Sequence, residues 1–147
     1  EQGIRVRLKV DADQNLVRRL DPDSPDHSDH LYRNRGDGTF EDISIQAGIV
    51  NSAFGLSASV TDINLDGYPD IYVANDFIEP DMLYINNRNG TFSDQLFRHV
   101  RHASQNSMGS DMADFNNDGL EDLITVDMLA ETNARQKLMT TSMVLDR

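Results

Sequence analysis

Ile4, Val6, Leu8 and Val10 alternate with other residues at the period of two that marks a strand. Further along, Ser57 to Thr61 (S-A-S-V-T) has the small and β-branched residues of a strand running into a loop. Asp70 to Ala74 (D-I-Y-V-A) leaves that loop as a second strand, and Met82 to Ile85 makes a third. Asn87-Arg88-Asn89-Gly90 reads as a turn, with Asn-Gly supplying the positive φ angles of a tight hairpin. Thr91-Phe92-Ser93 opens a fourth strand, and Asp37-Gly38 occupies the same kind of turn earlier in the chain. Four short antiparallel strands in about 50 residues is the unit of a propeller blade.

The pattern is written more than once. Leu31-Tyr32-Arg33-Asn34 matches Leu83-Tyr84-Ile85-Asn86, and Gly38-Thr39-Phe40-Glu41-Asp42 matches Gly90-Thr91-Phe92-Ser93-Asp94, both at an offset of 52 residues. A third pair keeps that offset: Asp62-Ile63-Asn64-Leu65-Asp66-Gly67-Tyr68-Pro69-Asp70 and Asp114-Phe115-Asn116-Asn117-Asp118-Gly119-Leu120-Glu121-Asp122. The expected architecture is all-β, a partial β-propeller of four-stranded antiparallel blades with a 52-residue repeat. Residues 1–52 form an incomplete first blade with a polar insert at 21–30. Residues 53–104 form the second, and 105–147 an incomplete third, in which Ala134 to Met139 is a short helix or an irregular excursion. Propellers close with four to eight blades, so the expected natural form is longer or self-associates, with edge strands otherwise left open.

Both nine-residue loops read D-x-N-x-D-G-x-x-D, the spacing a hard cation needs. Asp62, Asn64 and Asp66 turn side-chain oxygens inward as the backbone curls, Tyr68 offers its carbonyl and Asp70 closes the shell. Asp114, Asn116, Asp118, Leu120 and Asp122 repeat that set, and Gly67 and Gly119 permit the sharp turn at the sixth position. Flexible six-to-eight oxygen coordination favours Ca²⁺, two ions in all; Mg²⁺ wants a stricter octahedron, and Zn²⁺ wants His or Cys. An EF-hand or dockerin loop carries an acid at position 12, where this chain has Val73 and Thr125 followed by strand-like sequence. Asp11-Ala12-Asp13-Gln14-Asn15 has Leu16 in place of the glycine and Arg19 in place of the closing acid, so it is not counted as a site.

These loops, each followed by an apolar strand and, in one copy, by L-Y-x-N and G-T-F-x-D, resemble the FG-GAP/VCBS repeats of integrin-α-like propellers. The resemblance extends to the bacterial type associated with ASPIC/UnbV. The resemblance is densest over residues 31–129. It implies a calcium-binding propeller, with the metal loop between the first two strands of a blade and the ligand positions named above. Phe54-Gly55 echoes the "FG" half, the second copy offers Met108-Gly109, and no "GAP" tripeptide occurs.

Composition narrows the function. The formal charge is −12, which opposes binding to nucleic-acid phosphates. Nine acids and no Lys or Arg lie between Gly36 and Asn87, a stretch that repels itself unless cations sit in it. There is no cysteine, and no apolar run of membrane-spanning length. Arg35-Gly36-Asp37 is an RGD tripeptide, but a hairpin turn favours Gly and Asp by itself. His27, His30, His99 and His102 lack the context of a metal site and read as surface residues. Tyr32, Phe40, Tyr84, Phe92, Met108, Met112 and Met128 read as packing residues. No nucleophile elbow, phosphate loop or cofactor fingerprint is present. The expected function is therefore a non-catalytic calcium-binding scaffold for binding or adhesion. It would act in the extracellular space, the periplasm or at a cell surface, with an unknown protein or polysaccharide ligand. The alternative is an accessory or propeller part of a larger secreted carbohydrate- or lipid-active enzyme with catalytic residues elsewhere. A purely structural stalk is a third reading.

Overall fold

The computed structural model describes residues 8–10, 16–18, 29–51, 53–76, 79–104, 106–128, 132 and 134. Among the described residues it is all-β, with antiparallel sheets and two short helices. The chain divides into two compact units, Glu1–Ser52 and Ala53–Arg147. Of the segment 134–139, expected as a short helix or an irregular excursion, all but Ala134 lies outside the described residues, as do most of the polar insert, Ile4 and Val6.

The first unit holds two hairpins. Strand β1 (Leu8–Val10) pairs with β2 (Leu16–Arg18), and β3 (Tyr32–Asn34) pairs with β4 (Phe40–Asp42). Helix α1 (Ser44–Ala47) follows, and Gly48 ends it in the left-handed conformation with φ 78°. The side chain of Asp42 starts it, accepting from Ser44 N–H at 2.9 Å and Ser44 Oγ at 2.6 Å.

The second unit holds a four-stranded sheet in the order β5 (Phe54–Thr61), β6 (Asp70–Asp76), β7 (Met82–Asn86), β8 (Phe92–Asp94). Helix α2 (Leu96–His99) follows it, and β9 (Ser107–Ala113) then pairs with β10 (Asp122–Asp127). The register of β6 and β7 sets Tyr72 opposite Leu83, on one face with Ala74 and Ile85. Those four, with Leu96, form the buried cluster, against which Ile63, Val100, Ala103, Met112 and Leu123 pack. Leu83, Ile85 and Leu96 each contribute roughly 1.5–3 kcal/mol on burial. The first strand runs three residues further back than its S-A-S-V-T core, because Phe54 and Gly55 still pair with Asp76 and Asn75 across a register shift.

Four side-chain expectations change. Tyr84 is buried and Phe92 half-buried, but Tyr32 is 56% and Phe40 63% exposed, since among the described residues β3 and β4 form a ribbon of two strands. Met108 and Met128 are also exposed, whereas Met112 packs on the core. Position within β9 explains its two methionines: Met108 and Met112 are four apart, but only Met112 lies opposite Leu123, beside the cluster.

A polar knot ties the second unit together. Asp81 is fully buried and accepts from the Tyr72 hydroxyl, from Asn75 N–H at 2.9 Å and from Ser107 Oγ at 2.8 Å. Burial and the adjacent Asp81 carboxylate push the Tyr72 hydroxyl well above its ordinary pKa, so it keeps its proton and donates. Beside it, Ser57 and Ser59 of β5 meet Ser110 of β9, with hydroxyl to hydroxyl distances of 3.3 and 3.2 Å.

Candidate metal centre

Residues 62–70 connect β5 to β6, and residues 114–122 connect β9 to β10. Both connections bend at the same two places. Leu65 and Asn117, at the fourth position, have φ of 57° and 61°, and Gly67 and Gly119, at the sixth, have φ of 87° and 85°. A leucine in the left-handed region costs roughly 1–2 kcal/mol, so the bend is imposed by what surrounds it. At the sixth position only glycine adopts such a φ without cost.

The carboxylates explain the bend. Asp62 accepts from Asp66 N–H at 2.9 Å and Gly67 N–H at 2.7 Å. Asp114 accepts from Asp118 N–H at 2.9 Å and Gly119 N–H at 2.8 Å. The fifth position repeats the match: Asp66 Oδ1 takes Tyr68 N–H, and Asp118 Oδ1 takes Leu120 N–H, each at 2.9 Å. At the ninth, Asp70 Oδ2 takes Ile63 N–H at 3.1 Å, and Asp122 Oδ2 takes Phe115 N–H at 3.1 Å. Asn64 Oδ1 accepts from Asp66 N–H at 3.1 Å. The backbone is thereby wrapped around a row of acceptor oxygens.

Two differences separate the loops. Asp70 is fully buried and its Oδ1 also accepts Asn86 N–H at 2.8 Å, which fastens the first loop to the end of β7. Asp66 carries a cation: Arg88 Nε and a terminal guanidinium nitrogen reach its Oδ2 at 3.0 and 2.9 Å. Burial of Asp66 raises its pKa, but the bonds from Arg88, Tyr68 N–H and Asn64 together outweigh it and hold the carboxyl below its ordinary value. Arg88 also lies over Tyr68, 5.8 Å from the ring centroid.

Asp62, Asn64, Asp66, Tyr68 and Asp70 thus lie on one short connection, as do Asp114, Asn116, Asp118, Leu120 and Asp122. Among the described residues no three acidic or imidazole side chains converge into a metal cage. The donor set nonetheless fits a hard cation. Its oxygens are carboxylate, carboxamide and carbonyl, a carboxylate offers about four lone-pair sites, and one loop already holds a guanidinium. Arg88 was not singled out from the sequence. The available signal was its place just beyond Asn87, as the first basic residue after the cation-free stretch that follows Gly36.

His27 lies outside the described residues; the other candidates behave as turn and surface residues. Asp37 of Arg35-Gly36-Asp37 accepts from Thr39 N–H and Oγ1, and these bonds lower its pKa. His30 bonds Asp42 at 2.8 Å and stacks on Tyr32. No helix among the described residues is long and apolar enough to cross a membrane.

No curated protein matches the chain. The family model described as FG-GAP-like repeat matches it twice, over residues 11–73 and 62–125. The second match opens on Asp62, the first residue of the first loop, and the two together span most of the sequence. On these matches the chain belongs to the family of FG-GAP-like repeat proteins.

Proposed function

We propose that this chain is a calcium-stabilised, non-catalytic binding or adhesion module built from propeller blades with a 52-residue period. The observation that carries the metal is the agreement between the two loops. Sequences that share few residues between the ligand positions adopt the same left-handed fourth and sixth residues and the same carboxylate-to-amide bonds. When bound, the ions neutralise acids that otherwise repel one another, and fasten the first two strands of each blade.

The blade reading is supported by further agreements at the same spacing. Helices α1 and α2 start 52 residues apart, at Ser44 and Leu96. The four-stranded sheet β5–β8 has the strand number of one blade. Further blades, from a longer chain or a second copy, would cover the remaining edges. We place the module outside the cytoplasm, at a surface or in the periplasm, where millimolar calcium suits loops of this type.

The test is a melting curve with and without chelator. Free calcium at about 100 times Kd adds about 2.7 kcal/mol per site, so chelation should lower Tm by several degrees. Asp66→Ala combined with Asp118→Ala should remove that response. Unchanged Tm on chelation at millimolar calcium, with no heat of binding, would sink the proposal.

A further inference from the structure

We propose that Arg88 is a tethered competitor for the cation of loop 62–70, so that the two loops bind calcium unequally. Loop 114–122 takes its ion unopposed, whereas loop 62–70 takes one only after the guanidinium is displaced. This inference rests on the calcium reading above.

Both oxygens of the fifth-position carboxylate are engaged in the first loop. Oδ1 holds Tyr68 N–H, and Oδ2 takes two nitrogens of Arg88. A calcium ion using this carboxylate must share it with a permanent positive charge, because guanidinium does not lose its proton in proteins. Two cations at such range repel, and the carboxylate cannot move away. Its side chain is only 9% exposed, against 57% for Arg88, so the arginine is the group free to leave.

The placement of Arg88 is built into the fold. Its turn, residues 87–91, follows β7, which pairs with β6 where the loop ends. Asn86 N–H bonds Asp70 Oδ1 at 2.8 Å, and Asn86 Nδ2 bonds the Pro69 carbonyl at 3.1 Å. Two residues later the chain enters the left-handed region at Arg88, φ 61°. The contact over Tyr68 gives the guanidinium a second hold.

Among the described residues the second loop has no counterpart of this arrangement. Among the described residues Asp118 is met only by Leu120 N–H. The residue 52 positions beyond Arg88 is the uncharged Thr140. If Arg88 instead oriented Asp66 for the metal, as outer-shell groups do, its loss would weaken binding, so the sign of the effect separates the two roles.

Calcium titration of the full chain by calorimetry tests this. With loop 114–122 disabled by Asp118→Ala, adding Arg88→Asn should tighten calcium binding at the remaining site by roughly tenfold. Asparagine tolerates the left-handed backbone at this position. Unchanged or weaker binding overturns the proposal. In the unmodified chain, amide resonances offer a second readout that needs no variant. Gly119 should reach saturation at roughly tenfold lower calcium than Gly67; simultaneous saturation, or Gly67 first, overturns it. Silence at both loops, including the one Arg88 does not touch, overturns the calcium reading and this inference with it. Binding at both loops without the predicted order overturns this inference alone.

Discussion

In hairpin β3–β4 the turn closes with Arg35 N–H on the Thr39 carbonyl at 3.0 Å; in β7–β8 it closes with Asn87 N–H on the Thr91 carbonyl at 2.9 Å. Gly36 and Arg88 are both left-handed, as are Gly38 and Gly90. Asp37 in one turn and Asn89 in the other accept from the following threonine's N–H and hydroxyl. After each hairpin a backbone bond returns to its start, Ile43 to Leu31 and Gln95 to Leu83. Yet β7 is buried and β3 is exposed along its length. The local sequence writes the hairpin; neighbouring strands decide whether it becomes core. A strand with partners on both sides buries Tyr84, and a ribbon of two strands leaves Tyr32 in water.

The largest test of that contrast is paired truncation. Tyr84→Ala should cost about 3–4 kcal/mol and Tyr32→Ala less than about 0.5 kcal/mol, read from urea denaturation. Equal costs would mean that the first hairpin is covered in solution. A smaller effect should be symmetric. Gly38→Ala and Gly90→Ala place a Cβ at φ of 88° and 85° with nothing within 4 Å to clash, so only the backbone objects. Each should cost about 1–2 kcal/mol, and a marked difference would show that the turns are not equivalent.

The smallest effect is in acid. The Ser44 hydroxyl, Ser44 N–H and His30 hold Asp42 at about 2, below its ordinary 3.8. A depressed carboxyl contributes stability above its unfolded pKa and loses it as pH falls through the folded one. Protection of the Ser44 amide from hydrogen exchange should therefore persist above pH 3.8 and fade as pH approaches about 2. Asp42→Asn should remove the pH dependence, and protection that ignores pH in the unmodified chain would refute the assignment.

Much of this was legible in the residues. The strands at 70–74 and 82–85 follow from β-branched and aromatic runs, and the places of the two loops between strands follow from the repeated D-x-N-x-D-G-x-x-D spacing. The turns were legible in place but not in detail. Arg88 and Gly90 carry the positive φ, while Asn89 uses its side chain as an acceptor. Helices α1 and α2 were not anticipated, because four residues are too few to display a helical period. The Arg88 contact was hidden because it spans 22 residues and needs the β6–β7–β8 topology to form.

Asp81 has a consequence for how the sheets find their alignment. A one-residue slip of a strand already turns its apolar residues to the other face. A buried carboxylate opposes the slip as well, because one of its three donors, Ser107, comes from a strand 26 residues further on. If β9 slipped by one position, Met108 or Asn106 would stand where Ser107 belongs. With Met108 there, the anion would lose a donor with no water to replace it, at about 1–3 kcal/mol or more. The knot therefore acts as a proofreading mark, by which the fold distinguishes correct docking of the second sheet from its nearest misalignment.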